Sequence, residues 1–324
     1  MKRRALITGV TGQDGYYLSK LLLEKDYEVY GMIRRHNRTG TELGTVKSLE
    51  SLINFDYGDM TDASSLEAIV HRVKPHEVYN LAAQSHVKIS FESPVYTANT
   101  NAIGVTHLLE AVTRTVPNAR FYQASTSEMF GNSIDADGFQ RETTEMKPVS
   151  PYGVAKLYAH QMVNVYRVQH NLFACAGILF NHESPMRGDM FVTKKITNYA
   201  KQFIGAEWND AFTHKLQLGN LHARRDWGHA EDYVYGMWLM LQHNTPDDYV
   251  LATGETYSVE DFVKRSFAKV GIKHHEAWTE VNQTFFRPED VNHLKGDASK
   301  ARNILGWTPK HNLDTLIQSM IQGL

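Results

Sequence analysis

The chain of 324 residues has one cysteine, nine prolines and no long apolar run, and it carries no excess of charge of either sign. A single thiol, Cys175, excludes an internal disulfide framework. No stretch approaches the roughly 18 consecutive apolar residues that a membrane span needs. Met1-Lys2-Arg3-Arg4 runs straight into a short apolar segment with no cleavable signal region, so a cytoplasmic protein without a membrane partner is expected, in which the sequons at Asn37 and Asn282 mean little. The 34 Lys and Arg against 36 Asp and Glu leave a formal net charge of −2 with scattered signs, which argues against nucleic acid as a partner. Sixteen histidines are present, but no HExxH and no paired Cys/His spacing, so no metal site is expected.

What is present describes an ordinary globular chain. Hydrophobic residues make up 42% and charged residues 22%, enough for a sizeable core and for one large domain or two modest ones. Short apolar runs at 5–8, 28–33, 77–81, 120–124 and 172–179 alternate with amphipathic stretches such as 18–24 and 66–73. Buried strands separated by helices indicate βαβ units and an α/β fold with a doubly wound parallel sheet. From about Asn181 the pattern loosens into mixed segments, with helices expected near 232–242, 259–270, 299–305 and 314–321. The expected organisation is a nucleotide-binding domain over 1–180, joined by about 221–252, and a smaller, partly interleaved substrate domain over 181–324.

The first apolar run ends in Gly9-Val-Thr11-Gly12-Gln13-Asp14-Gly15, followed by a helical pattern. Glycines at this spacing permit a tight turn and close backbone approach to a pyrophosphate at a helix N-terminus. No Lys-Ser/Thr follows to make a P-loop. After the second run, where an acidic residue would accept ribose hydroxyls, the chain has Arg34-Arg35, whose guanidinium groups suit a 2′-phosphate and favour NADP over NAD. Asp59-Met60 and Asn80-Leu81-Ala82-Ala83-Gln84-Ser85 close the third and fourth strands at the same sheet edge, where small residues let the backbone approach a cofactor.

Tyr152-Gly-Val-Ala-Lys156 opens a helix after Ser150-Pro151, so phenol and ammonium share one face. An ammonium beside Tyr152 would stabilise phenolate and lower the phenol, giving a base that accepts a hydroxyl proton while hydride leaves the same carbon. The fifth strand ends in Ala124-Ser-Thr126-Ser-Glu128. Thr126 and Glu128, two apart, can both point into the crevice, Thr126 toward the reacting oxygen. Glu128 is the more informative residue, because simple reduction or 4-epimerisation needs no extra base whereas β-elimination does.

These strings, with Asn181-His-Glu-Ser-Pro185 and Arg225-Asp-Trp-Gly-His-Ala230, resemble the GDP-mannose 4,6-dehydratase family of extended short-chain dehydrogenases/reductases over essentially the whole chain. The resemblance implies that Tyr152 deprotonates the sugar C4 hydroxyl as hydride passes to NADP, with Lys156 supporting it and Thr126 as the catalytic threonine. It implies that Glu128 removes the C5 proton and that water leaves from C6 before hydride returns there. Ser85, Tyr96, His182 and Arg187 match further cofactor or substrate contacts, while Asn181, Lys195, Arg225 and Arg287 are assigned to the GDP moiety, with Asp290 on its ribose.

The chain departs from the family at Arg287-Pro-Glu-Asp-Val-Asn292, at His222, in a longer stretch from Ala206 to His214, and in the loop His36 to Gly44, which in the family reaches a neighbouring subunit. A homo-oligomer, tetramer or dimer, is implied. The alternatives are a GDP-manno-heptose as substrate, an epimerase or reductase, and a non-catalytic NADP-binding regulator.

Overall fold

A computed structural model describes residues 2–35, 43–205, 214–286 and 289–323. Seven strands, β1 (Arg4–Thr8), β2 (Glu28–Ile33), β3 (Asn54–Tyr57), β4 (Glu77–Asn80), β5 (Arg120–Thr126), β6 (Ala174–Leu179) and β7 (Asp248–Leu251), form one sheet. Their spatial order is β7-β6-β5-β4-β1-β2-β3, and each pairing is parallel. Parallel neighbours need crossovers, and five of the six carry an α-helix: α1 (Gln13–Glu24), α2 (Ala63–Val73), α3 (Gly104–Thr115), α4 (Pro151–Gln169) and α6 (Ala230–Gln242), while the described part of the β2–β3 connection carries the 3-10 turn Gly44–Leu49. Between α4 and α6 lies α5 (Val192–Lys201), and α7 (Val259–Lys269) and α8 (Leu313–Gln322) close the chain.

The strands are apolar on both faces because both are covered. Leu6, Val78, Phe121 and Ala174 pack under α2, α3 and α4, while their sequence neighbours Ile7, Tyr79, Tyr122 and Cys175 pack under α1 and α6. That alternation is the period-two pleat of a strand buried from both sides. A separate core of Ile196, Phe262, Phe267, Leu316 and Met320 joins α5, α7 and α8. Helix starts follow capping chemistry: Asp62 accepts from Ser64 N and Ser65 N ahead of α2, and Ser258 and Asn312 form capping boxes ahead of α7 and α8.

The helix expected over 299–305 forms over those bounds, its last five residues, Ala301–Leu305, in π geometry. Gly306, at φ +67°, ends it, and Trp307 turns back to bury its ring, with Nε1 donating to Asp232 O at 2.8 Å. Among the described residues no helix is long and apolar enough to cross a membrane. Strand order reverses between β1 and β4, so the ligand crevice of such a sheet opens at their carboxyl ends, beside Thr8 and Asn80.

Candidate active site

A cavity of about 330 Å³ lies along the carboxyl ends of β4, β5 and β6, and Thr126, Glu128, Tyr152 and Lys156 all line it. Each is at least nine-tenths buried. Local chemistry brings them there. Beyond β5 a single 3-10 turn is capped by Thr126, whose hydroxyl oxygen accepts from Glu128 N at 3.3 Å. Helix α4 starts at the Ser150 cap, which accepts from Gly153 N at 3.0 Å, with Pro151 at the first helical position. Gly153 lets this helix meet the turn closely, since a Cβ there would lie 2.8 Å from Glu128 O.

Burial pushes the Tyr152 phenol up to about 12, against the opposing hydrogen bond with Thr126. The lowering expected from Lys156 is therefore not seen. Lys156 Nζ lies 5.9 Å from the Tyr152 ring centroid and donates instead to Ala124 O at 2.8 Å. Burial also pulls the lysine down to about 8, with Asp14 opposing.

The glycine turn fits a dinucleotide. Gly9 has φ +69°, and a Cβ there would strike Ala82 N at 2.7 Å. Gly15 abuts the strand turn, its hypothetical Cβ only 2.1 Å from Val10 O. Gly12 is different: a Cβ there would meet nothing nearer than Gly9 O at 3.4 Å, leaving room directly before the N-terminus of α1, which has no side-chain cap. That open cradle beside free N–H groups suits a phosphate.

Asp14 and Gln13 tie this helix to the short strand Asn181–Glu183. His182 donates from Nδ1 to Phe180 O at 2.8 Å, and its Nε2 lies 2.9 Å from Asp14 Oδ2. Burial opposes the charge on both groups, but their mutual attraction outweighs it, holding Asp14 below and His182 above their ordinary values. Gln13 Nε2 donates to His182 O at 3.1 Å and Ser184 Oγ donates to Gln13 Oε1 at 2.8 Å.

The remaining expected cofactor residues distribute along the crevice. Leu81, Ala83 and Ser85 line the cavity, while Ala82 N donates to Thr8 Oγ1 at 3.2 Å. Thr11 O accepts from Thr45 Oγ1 at 3.0 Å. Asp59 Oδ1 accepts from Thr61 N and Oγ1 at 2.9 and 2.7 Å, and Met60 is buried. Arg34 and Arg35 stand exposed after β2, and Arg34 Nη1 donates to the Tyr96 hydroxyl.

Asn181, Lys195, Arg225 and Asp290 line the other wall, with Arg187. Arg225 and Asp290, assigned from the sequence to different parts of a GDP group, are paired with each other at 3.2 Å. Arg225 Nη1 also donates to Arg224 O and Val291 O at 2.9 and 2.7 Å. A buried guanidinium takes such partners because an uncompensated charge there would be costly. Arg287, and residues 36–42 and 206–213 of the two segments noted above, lie outside the described residues.

Several residues of the site were not foreseen, among them Phe285, Glu183 and Phe191. Phe285 lines the cavity, with Lys195 Nζ 4.9 Å from its ring centroid. Glu183 holds Arg187 at 2.9 Å, and the Arg187 guanidinium lies 3.6 Å over Phe191. The four-residue spacing of Glu183 and Arg187 was the available signal; Phe285 had none. His229, Glu231 and His311 offer ligand atoms within 4.8 Å of one another. His229 Nδ1 is occupied in accepting from Glu231 N at 3.1 Å, and the two rings stack at 4.3 Å, which points their in-plane lone pairs past a common centre.

A doubly wound sheet, a glycine turn before α1 and a Thr–Tyr–Lys cluster at the sheet edge define the extended short-chain dehydrogenase/reductase class. The fold is shared with Thermus thermophilus UDP-glucose 4-epimerase in complex with NAD, at TM-score 0.84 and 22% identity, over 98% of each chain. At higher resemblance, the sequence model of the family described as GDP-mannose 4,6 dehydratase matches residues 6–320. GDP-mannose 4,6 dehydratase 1 of Arabidopsis thaliana is 47% identical over 99% of this chain and 89% of its own length. The Homo sapiens GDP-mannose 4,6 dehydratase is 45% identical over 98% and 90%. The chain belongs to the GDP-mannose 4,6 dehydratase family.

Proposed function

We propose that this protein is an NADP-dependent lyase that converts GDP-mannose to GDP-4-keto-6-deoxymannose. The observation that carries the reading is a carboxylate, Glu128, lining one cavity with Thr126, Tyr152 and Lys156. A dehydrogenase needs the last three, and elimination needs the fourth.

Tyr152 takes the proton of the C4 hydroxyl at its phenol oxygen, while Thr126 orients the same oxygen. The chemistry a bound nicotinamide supplies is hydride acceptance from C4 and its return to C6. With C4 a ketone, the C5 proton is acidified and Glu128 removes it. Glu128 then delivers that proton to the departing C6 hydroxyl, which leaves as water, and C5 regains a proton as C6 is reduced, in balance with the one Tyr152 took from the C4 hydroxyl. Lys156 holds the floor of the site through Ala124 O and supplies positive charge near the phenol. The Gly12 cradle and the N-terminus of α1 suit the pyrophosphate, and Arg34 and Arg35, which replace an acidic residue after β2, suit a 2′-phosphate.

Asn181, Lys195, Arg225, Arg287 and Asp290, all beyond residue 180, are read as the GDP-sugar wall together with Ser85 of the loop after β4. A homo-oligomer belongs to the same reading. It is supported by an exposed apolar stripe on one side of α4, made by Val154, Tyr158, Val165 and Val168. The cytoplasm, where nucleotide sugar and NADP meet, is the proposed location.

The test is turnover of GDP-mannose deuterated at C4. Mass spectrometry should find the label at C6 of a 4-keto-6-deoxy product without added reductant. A product that has lost the deuterium, or no dehydration at all, would overturn the reading.

A further inference from the structure

We infer that Gln123, Asn80 and Thr8 are positioning residues for Lys156, acting together through the carbonyl of Ala124. The inference rests on the reading above for its functional meaning, but the geometry stands by itself. Gln123 Nε2 donates to Ala124 O at 3.1 Å, the same oxygen that accepts from Lys156 Nζ at 2.8 Å. Gln123 Oε1 accepts from Asn80 Nδ2 at 2.8 Å. Asn80 Oδ1 accepts from the Thr8 hydroxyl at 2.5 Å, and Thr8 Oγ1 in turn accepts from Ala82 N at 3.2 Å. The three side chains come from β5, β4 and β1, whose pairing sets Thr8 against Asn80 and Asn80 against Gln123. They are essentially fully buried, at no more than 1% exposed.

The row has one orientation. A carbonyl only accepts, so Gln123 must turn its amide nitrogen toward Ala124 O. Its oxygen then faces Asn80, which must offer nitrogen there and oxygen to Thr8. The Thr8 hydroxyl gives its proton to Asn80 and keeps a lone pair for the backbone of the loop that carries Leu81, Ala83 and Ser85. Reversing any one amide would set oxygen against oxygen or leave a buried donor unmet. Consequently the amide of Gln123 occupies one side of Ala124 O and confines the Lys156 ammonium to the other. Packing alone does not call for this row of three polar side chains, since Val or Leu would fill the same space. Its output is the place and charge of the lysine, and the Ala82 contact couples this to the loop at the cofactor side.

Lys156 shares its cavity with the charged and titratable groups Asp14 of α1, Tyr152 on its own helix, Glu128 after β5, His86 and Lys88 beyond β4, and His182, Glu183, Arg187, Lys195, Arg225 and Asp290 beyond β6. None of them is altered by the test. Lys156 is titrated without sugar or cofactor by competitive labelling with acetic anhydride, read at this residue by mass spectrometry across pH. Gln123→Met removes the competing donor while keeping length and apolar packing. Proton affinity of Lys156 should rise by roughly three- to tenfold, as expected when one hydrogen bond's worth of competition is lost. Asn80→Leu should also move the labelling midpoint, and the double variant should move it no further than Gln123→Met alone, because Asn80 acts only through Gln123.

An unchanged midpoint in either single variant, or additive shifts in the double, overturns the inference. Thermal melting checks that each variant is folded. Should Asn80→Leu not fold, Thr8→Val takes its place, with Thr8→Ser expected to restore the wild-type midpoint; no shift in Thr8→Val, or no recovery in Thr8→Ser, also overturns it. A role in folding alone would lower the melting temperature and leave the Lys156 midpoint where it was. Because labelling needs no sugar, a wild-type protein that fails to dehydrate GDP-mannose refutes the proposed function without touching this result. Normal turnover with an unresponsive midpoint refutes the inference alone.

Discussion

Gly12 and Gly15 are three residues apart in one turn, and a single methyl group should have opposite consequences at the two. At Gly15 the added Cβ would sit 2.1 Å from Val10 O, 2.4 Å from Val10 C and 2.6 Å from Val10 Cα. These are backbone atoms of the turn and cannot swing aside like a side chain, so α1 must move by about 1 Å to restore ordinary contact. Overpacking of this kind costs about 1–3 kcal/mol where side chains can yield, and backbone against backbone should reach the upper end or beyond. At Gly12 the backbone is extended, φ −86° and ψ 175°, which alanine adopts freely, and the nearest obstruction is Gly9 O at 3.4 Å.

Folding should therefore change little in Gly12→Ala: about 0.4–1 kcal/mol is gained from a less flexible unfolded chain, and a similar amount is lost at the cap, where alanine is the poorer residue. On the proposed reading, however, the pyrophosphate of NADP takes the space the methyl group fills. Pushing a phosphate back from the N-terminus of α1 removes at least one charge-assisted hydrogen bond, about 1.5–3 kcal/mol, or roughly ten- to more than a hundredfold in affinity. Thermal melting without cofactor and calorimetric titration with NADP separate the two effects. Gly15→Ala should melt well below wild type. Gly12→Ala should melt with wild type and bind NADP weakly. Wild-type NADP affinity in Gly12→Ala would refute the assignment of that cradle to the pyrophosphate, and equal loss of stability in both variants would refute the packing argument.

Glu128→Gln, which keeps size and loses the base, should cut formation of the 4-keto-6-deoxy product by at least about a hundredfold; in single turnovers C4 deuterium should still leave the sugar, whereas in Tyr152→Phe it should stay. Arg34→Ala or Arg35→Ala should weaken NADP by roughly tenfold or more and NAD much less, and equal losses in titrations of the two cofactors would count against 2′-phosphate recognition. The Asp14–His182 pair predicts a window of pH. Asp14, held below its ordinary 3.8, contributes fully above that value and loses its contribution as pH falls through its lowered value. His182, held above 6.5, contributes fully below that value and loses its contribution as pH rises through its raised one. The melting-temperature gap between wild type and His182→Gln should thus be widest between pH 3.8 and 6.5 and narrow on the alkaline side; a gap that widened with pH would contradict the ion pair.

Much of this protein was legible in order along the chain because the controlling interactions are local. The glycine turn is a matter of which residues tolerate its backbone and its close approaches, and these lie within a few positions. Ser150-Pro151 announces a helix start, so Tyr152 and Lys156 follow on one face by helical spacing alone. Alternating apolar runs imply strands covered on both sides, which is how Ile7 and Leu6 come to face different layers. The short helix over 299–305 is set locally as well, ending where Gly306 takes up φ +67° and Trp307 turns back to Asp232 O.

What required the tertiary structure is whatever depends on partners far apart in sequence or on exclusion of water. Lys156 beside Tyr152 reads as a phenol-lowering pair, yet burial dominates and the ammonium turns to Ala124 O, so the phenol is raised. Arg225 and Asp290, 65 residues apart, read as separate ligands for a diphosphate and a ribose, and the fold makes them partners of each other. Thr8, Asn80 and Gln123 look like unremarkable strand residues until the pairing of β1, β4 and β5 lines them up behind Lys156. Sequence specifies which groups are available and how they repeat. Only the folded chain decides which of them meet, because a hydrogen bond or an ion pair is set by distances of a few ångströms and by the water that burial removes.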